Sequence, residues 1–277
     1  MIYVKDIMNK DVVYLEVPGN RNEFFKKFME KKVSGFPVVK KGTKQIIGII
    51  TREDILKKGD EEQIALIMNK NVITITPETP LDDCIKIMKE KGYRRIPVVV
   101  DKELVGIITI GDIVHKLLVK STSNLKVKDL MSPIGLVCWD NTPLNIVGKI
   151  MIMTKSHVAL SINRNEQING ILSLTDLIKY SEIRIEEKKT VLKAGSEGQE
   201  WDWETTSFLL ITKGKITLPE IPLYQAISTP CITILENASV SECAIKMKKY
   251  DVDQLVVVNA KNEIQGIIFD RDLLKSL

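Results

Sequence analysis

Four times along this chain, a Met or Ile ending a short apolar segment is followed, after a near-constant interval, by a Gly-Ile-hydrophobic triplet. The pairs are Met8 and Gly48, Met68 and Gly106, Met131 and Gly170, and Ile227 and Gly266, separated by 40, 38, 39 and 39 residues. A period of this kind constrains the fold more than composition does. One copy of a repeat cannot bury its apolar face alone, so neighbouring copies must complete its core.

The local signals inside each period agree. A β-rich run comes first: Val12-Val13-Tyr14-Leu15, Val72-Ile73-Thr74-Ile75, Leu136-Val137-Cys138-Trp139 and Ile232-Thr233-Ile234-Leu235. A turn follows, as at Pro77-Glu78-Thr79-Pro80. Next comes an amphipathic helix, whose apolar face in the second copy is Leu81, Cys84, Ile85 and Met88 at i, i+3, i+4, i+7. Two further strands and a closing helix near Asp54, Asp112, Asp176 or Asp272 complete a β-α-β-β-α unit. The expected fold class is α/β, with unit one pairing with unit two and unit three with unit four, sheet edge to sheet edge and helix to helix.

The units span 1–60, 61–120, 121–181 and 223–277, leaving an insert at 182–222. The insert reads as a charged helical continuation, Ile185-Glu186-Glu187-Lys188-Lys189, then Gly195-Ser196-Glu197-Gly198. A hairpin of Phe208-Leu209-Leu210-Ile211-Thr212, turning at Lys213-Gly214-Lys215, closes it. Trp201-Asp202-Trp203-Glu204 is either a partner-docking patch or a segment packing back onto the repeats.

Composition removes several function classes. Forty basic residues against 36 acidic ones give a net charge of only +4, too mild for nucleic-acid binding but compatible with local phosphate pockets. No apolar run reaches the roughly 18 residues of a membrane span, and the N-terminus lacks the pattern of a signal peptide, so a cytoplasmic location is expected. Cys84, Cys138, Cys231 and Cys243 form no CxxC pair and are read as buried reduced thiols. His115 and His157, the two histidines, join no Ser–His–acid trio, and there is no Gly-rich phosphate loop. No enzyme activity, metal or cofactor is expected.

The chemistry-bearing residues follow each Gly-Ile strand: Thr51-Arg52-Glu53-Asp54, Thr109-Ile110-Gly111-Asp112, Ser173-Leu174-Thr175-Asp176 and Phe269-Asp270-Arg271-Asp272. A hydroxyl with an acid three residues on is a capping box, which stabilises a helix start by about 0.5–2 kcal/mol. The same residues also suit a nucleotide, with the hydroxyl at a phosphate and the carboxylate accepting two bonds from a ribose diol. Asp272 persists where the hydroxyl has become Phe269, so its acid does more than complete a box. Both readings stand.

Together with the hydrophobic-Pro-Val strands Phe36-Pro37-Val38 and Ile96-Pro97-Val98, these four segments in register resemble the CBS-domain (cystathionine-β-synthase-type) repeat family. The fourfold arrangement is similar to that of the regulatory γ subunit of AMP-activated protein kinase, over everything except about 182–222. The resemblance implies two two-site modules packed as a flat disc. It implies adenosine ligands: AMP, ADP or ATP first, S-adenosylmethionine after them. Carried onto this chain, Asp54, Asp112 and Asp176 hold ribose, and Thr51, Thr109 and Ser173 touch phosphate. Val13, Ile73 and Val137, with Phe36, Ile96 and Val158, sandwich the base and offer backbone groups to its edge. Tyr93-Arg94-Arg95 stands where the family places basic phosphate ligands; unit one has Ser34-Gly35 there, unit three Ser156-His157, with His157 opposite Arg95, and unit four Asp253-Gln254. Unit two is therefore the expected best site, units one and three come next, and unit four repels phosphate. The function implied is a non-catalytic sensor read by a protein partner or a second copy. The alternative is a scaffold with vestigial sites.

Overall fold

The computed structural model describes residues 2–31, 33–192 and 207–277. Each unit opens on a single helical turn: Val4–Ile7, Ile64–Ile67 and Val127–Leu130, and the 3-10 turn Leu223–Gln225. In unit one the strand Leu15–Val17, the helix Asn22–Lys31, the strands Gly35–Lys40 and Ile46–Thr51, and the closing helix Arg52–Lys57 follow. The first strand lies parallel to the second, and the second antiparallel to the third. Units three and four build the same three-stranded sheet. Unit two keeps only Arg95–Val100 and Glu103–Thr109 as strands, and its expected first strand shrinks to a bridge from Ile75 to Val98. The run is cut off there because the Thr76 amide turns to the Thr79 hydroxyl (3.1 Å) to start the Pro77–Pro80 turn.

The units pair as expected, by exchange of their opening turns. The Val4 and Lys5 amides bond Thr79 and Pro77 of unit two, while the Ile64 and Arg21 amides join unit two's opening segment to unit one. Val127 bonds Ala238 and Leu144 bonds Ile221 in the second pair. The repeated glycines make room for these crossings. A Cβ on Gly106 would lie 2.6 Å from Met8 Sδ, one on Gly170 would lie 2.5 Å from Ile227 Cδ1, and one on Gly266 would lie 2.5 Å from the Ser132 carbonyl.

Helices then join the two modules. Leu81, Cys84, Ile85 and Met88, all buried, share one core with Val240, Cys243, Ala244 and Met247, so unit two faces unit four. Ile178 of unit three enters the core of unit one, and Leu56 of unit one packs against that of unit three. Each such fully buried side chain contributes about 1.5–3 kcal/mol by leaving water. Burial pushes the Cys84 and Cys243 thiols up to about 12, and all four cysteines are unpaired; Cys84, Cys138 and Cys243 are buried as expected, whereas Cys231 is only half-buried.

The insert differs from its sequence reading. Glu182–Leu192 is a strand, not a helix, and pairs antiparallel with the continuous strand Ser207–Thr217, so no turn occurs at Lys213-Gly214-Lys215. The alternation Ile183-Arg184-Ile185 favours the strand, and each arm satisfies the other's backbone. Fully buried Arg21 ties the hairpin to unit one, donating to the carbonyls of Gly59 (2.6 Å), Glu61 (2.8 Å) and Gly214 (2.6 Å). Gly195–Gly198 and Trp201–Glu204 lie outside the described residues.

Candidate functional site

Each of the first three closing helices begins with the hydroxyl–carboxylate box. Asp54 Oδ2 accepts from the Thr51 amide (2.8 Å) and hydroxyl (2.7 Å); Asp112 from Thr109 (2.9 and 2.6 Å); Asp176 from Ser173 (2.9 and 2.7 Å). The cap uses one carboxylate oxygen throughout. The other faces a lysine in units two and three: Lys116 at 3.6 Å from Asp112 Oδ1 and Lys179 at 3.5 Å from Asp176 Oδ1. Unit four keeps only the backbone half, Phe269 N–H to Asp272 Oδ2 at 3.1 Å, because a phenyl ring cannot accept.

The strand registers correct one alignment. Gly35, Arg95, Val158 and Gln254 stand opposite Thr51, Thr109, Ser173 and Phe269. His157 therefore occupies the place of Arg94, not Arg95, one residue off the sequence reading. The carbonyls agree: Arg94, His157 and Asp253 each accept the first amide of the closing helix, from Ile110, Leu174 and Asp270. Unit three has neither Pro nor a charged pair to mark the register, and a one-residue slip reverses every face of a strand.

That slip also moves Val158. Phe36 and Ile96 are fully buried on the helix-side face, with the Phe24 ring edge-on to Phe36 at 5.2 Å. Val158 lies instead in the core between the sheets of units three and four. Phe36 and Ile96 side chains are thus walls of apolar cores and not of an open cleft, which corrects the side-chain part of the base sandwich drawn from sequence. Val13 and Ile73 are half-buried, Val137 is exposed, and Pro37 and Pro97 are buried on the opposite strand face.

The arginines of unit two leave their own unit. Arg94 donates to Asp270 of unit four at 2.6 Å and pairs with Asp253 at 3.1 Å. Arg95 donates to the Ser34 hydroxyl of unit one, and Gly35 leaves the space its guanidinium fills. Arg52, first residue of unit one's closing helix, donates to Thr175 of unit three and lies 3.9 Å from Asp253. All four units meet here. Three guanidiniums face two carboxylates, leaving positive charge in excess, and exposed Arg271 adds to it over the Phe269 ring (4.8 Å).

The electrostatics follow from that imbalance. Burial lowers Arg95 to about 9, with Arg52 and Arg94 adding to the effect, and no ion pair relieves it among the described residues. Burial likewise lowers Arg52. Burial also opposes the Arg94 charge, yet Asp270 and Asp253 outweigh it and raise Arg94. Asp270 is pushed up to about 6 by burial, since one guanidinium shared between two acids offsets that only in part. His157 is lowered by burial, then by Arg271 and Arg94. Half-buried His115 is lowered by burial and Lys248, at the contact between units two and four. A partly dry cluster of under-neutralised guanidiniums is suited to a phosphate-type anion.

Sequence reasoning did not single out Arg52, Asp270, Arg271, Thr175 or Ser34. A signal was present: the first residue of the closing helix reads Arg52, Ile110, Leu174 and Asp270, and only units one and four carry charge, of opposite sign. Among the described residues no cluster of His, Cys, Asp and Glu could hold a metal, and no helix is long and apolar enough to cross a membrane.

Comparison with known proteins places this architecture. An uncharacterized protein of Methanocaldococcus jannaschii, MJ1225, is 30% identical over 195 residues, covering 64% of this chain and 69% of its own. Its crystal structure, described as that of a proposed archaeal homolog of g-AMPK, superposes with a TM-score of 0.77 at 23% identity over 99% of both chains. An uncharacterized conserved protein of Pyrococcus horikoshii matches over 99% of both chains at 25% identity, with a TM-score of 0.63. The CBS domain model matches residues 4–61, 62–119, 127–183 and 223–277. The chain belongs to the CBS-domain family and carries four of its repeats.

Proposed function

We propose that this protein is a non-catalytic regulator that binds adenine nucleotides, AMP, ADP or ATP, and reports their presence to a protein partner or a second copy. The observation that carries the reading is the central cluster of Arg52, Arg94 and Arg95, where Arg95 meets a hydroxyl and no carboxylate. A partly buried cation without a counter-ion is costly, so an anion that completes it binds with that strain relieved. The boxes of Thr51–Asp54, Thr109–Asp112 and Ser173–Asp176 stand at the strand ends that lead into this cluster and offer the acceptor oxygens a ribose needs. Phosphate is then held across units and not by unit two alone. Ligand between units shifts their packing only as far as it prefers one arrangement.

Calorimetry with AMP, ADP and ATP tests this. Replacing both arginines (Arg94→Ala with Arg95→Ala) weakens binding by at least about tenfold, the least expected for a charge-assisted contact of about 1.5–3 kcal/mol. Unchanged affinity refutes the role of the cluster. Absence of stabilisation by any adenine nucleotide in a thermal-shift series, S-adenosylmethionine included, favours a scaffold.

A further inference from the structure

Arg94 immediately precedes the strand Arg95–Val100 of unit two, yet its guanidinium rests on two carboxylates of unit four. Asp270 is almost wholly buried, while Asp253 is half open. Asp270 also accepts the Arg271 amide at 2.7 Å, so its carboxylate collects one backbone donor and one guanidinium, the same pair of donors a phosphate oxygen would take. Asp253 reinforces it from the position just before the strand Gln254–Val258, the place Arg94 holds before Arg95–Val100 in unit two, and its carbonyl accepts the Asp270 amide at 2.8 Å. The two acids and the arginine come from facing modules, so this contact is made across the interface and depends on how the modules sit.

We propose that Asp270 and Asp253 are a built-in competitor for Arg94: a carboxylate pair that holds the guanidinium on unit four until the phosphate of a nucleotide takes it over. The inference rests on the nucleotide-binding reading above and adds its regulation. Phosphate affinity is set below what the cluster could reach, because each binding event must first release Arg94 from unit four. That release removes a contact between the modules, which gives binding a structural consequence at the interface, where a partner could read it. Ligand charge becomes the discriminating property. Uncharged adenosine has no claim on Arg94 and leaves the cross-module pair in place.

The experiment is calorimetry of AMP, adenosine and inorganic pyrophosphate on the full chain as wild type, Asp270→Asn and Asp253→Asn, with circular dichroism to verify folding. Asp253 is half exposed, so its variant keeps the experiment informative if Asp270→Asn fails to fold. The expected result is AMP and pyrophosphate binding about tenfold tighter in either variant, as for loss of one charge-assisted contact, with adenosine unchanged. Equal or weaker binding of AMP by folded variants of a wild type that binds it overturns the competitor and leaves the nucleotide reading intact. If wild type binds neither anion but a variant does, the competitor stands and the sensor reading falls. If neither wild type nor variant binds an anion, both fall.

Discussion

Units two and four are built on one plan and face each other through a shared helical core, yet they differ at three positions around their meeting place. Where unit two has Arg94, Thr109 and Ile110, unit four has Asp253, Phe269 and Asp270. The changes are complementary in sign. The cation of one unit lands on the acids of the other, 2.6 and 3.1 Å away. Positions that only hold the unit together, by contrast, barely change: Cys84 and Cys243 fill the same place on the same helix face, and Gly106 and Gly266 admit the same kind of crossing. A repeat diverges where copies meet a ligand or one another, and stays fixed where each copy must fold.

The largest effect expected outside binding concerns that fixed frame. Alanine at Gly266 puts a methyl 2.5 Å from the Ser132 carbonyl, and backbone cannot yield, whereas alanine at Gly106 meets the thioether of Met8, which can. Gly266→Ala therefore destabilises by about 1–3 kcal/mol and Gly106→Ala by less, as read by urea unfolding. Equal losses would break the claim that the two crossings differ in what they tolerate.

A second experiment isolates the acid that sets unit four apart. Asp270 sits at about 6 in the folded protein against 3.8 when free, for burial near Arg94, Asp253 and Arg271. The folded state then holds more protons than the unfolded chain between those values, so this group lowers stability as pH rises through that window. Asp270→Asn removes the slope. The stability of the variant minus that of wild type rises from about pH 4 to about pH 6.5. A falling difference would mean that Arg94 holds the acid fully ionised.

The smallest expected effect lies in unit three. Ser161 is fully buried with an unpartnered hydroxyl, at the strand position filled by Val38, Val98 and Val257 in the other units. Ser161→Val raises stability by about 1 kcal/mol by removing the orphaned donor and filling the core. A drop in melting temperature would show that the hydroxyl serves unit three in some way the valines do not serve the others.

Much of this was legible in the chain. The period, the unit order, the helix face of Leu81, Cys84, Ile85 and Met88, and the three boxes at Thr51, Thr109 and Ser173 are local patterns, and local hydrogen bonding and burial reproduce them. The errors fell where local patterns are silent. Two polar residues, Ser156 and His157, fit either register, so the sequence alone sets His157 opposite Arg95; only cross-strand pairing distinguishes the two. Ile185–Lys189 carries charges that suit a helix surface, but the partner strand Ser207–Thr217, far along the chain, makes it a strand. The resemblance puts the Phe36 and Ile96 side chains in a ligand cleft, but their strand face is buried in apolar core.

The sequence by itself determined that there are four copies, what each contains, and which positions carry hydroxyl, acid and arginine. It pointed to the pairing of neighbouring copies but not to the contacts by which each completes the other, nor to how the two pairs face. Every unit offers the same apolar opening turn and the same glycine, so Met8 matches Gly48 in sequence as well as it matches Gly106, where it packs. Only the tertiary structure decided that opening turns cross to the neighbouring unit, that unit two faces unit four, and that Arg94 therefore lies on Asp270. The reason is physical. Hydrophobic burial is non-directional and fixes how much surface each copy must cover. Chain length, strand register and the fit of charge across an interface choose the partner that covers it.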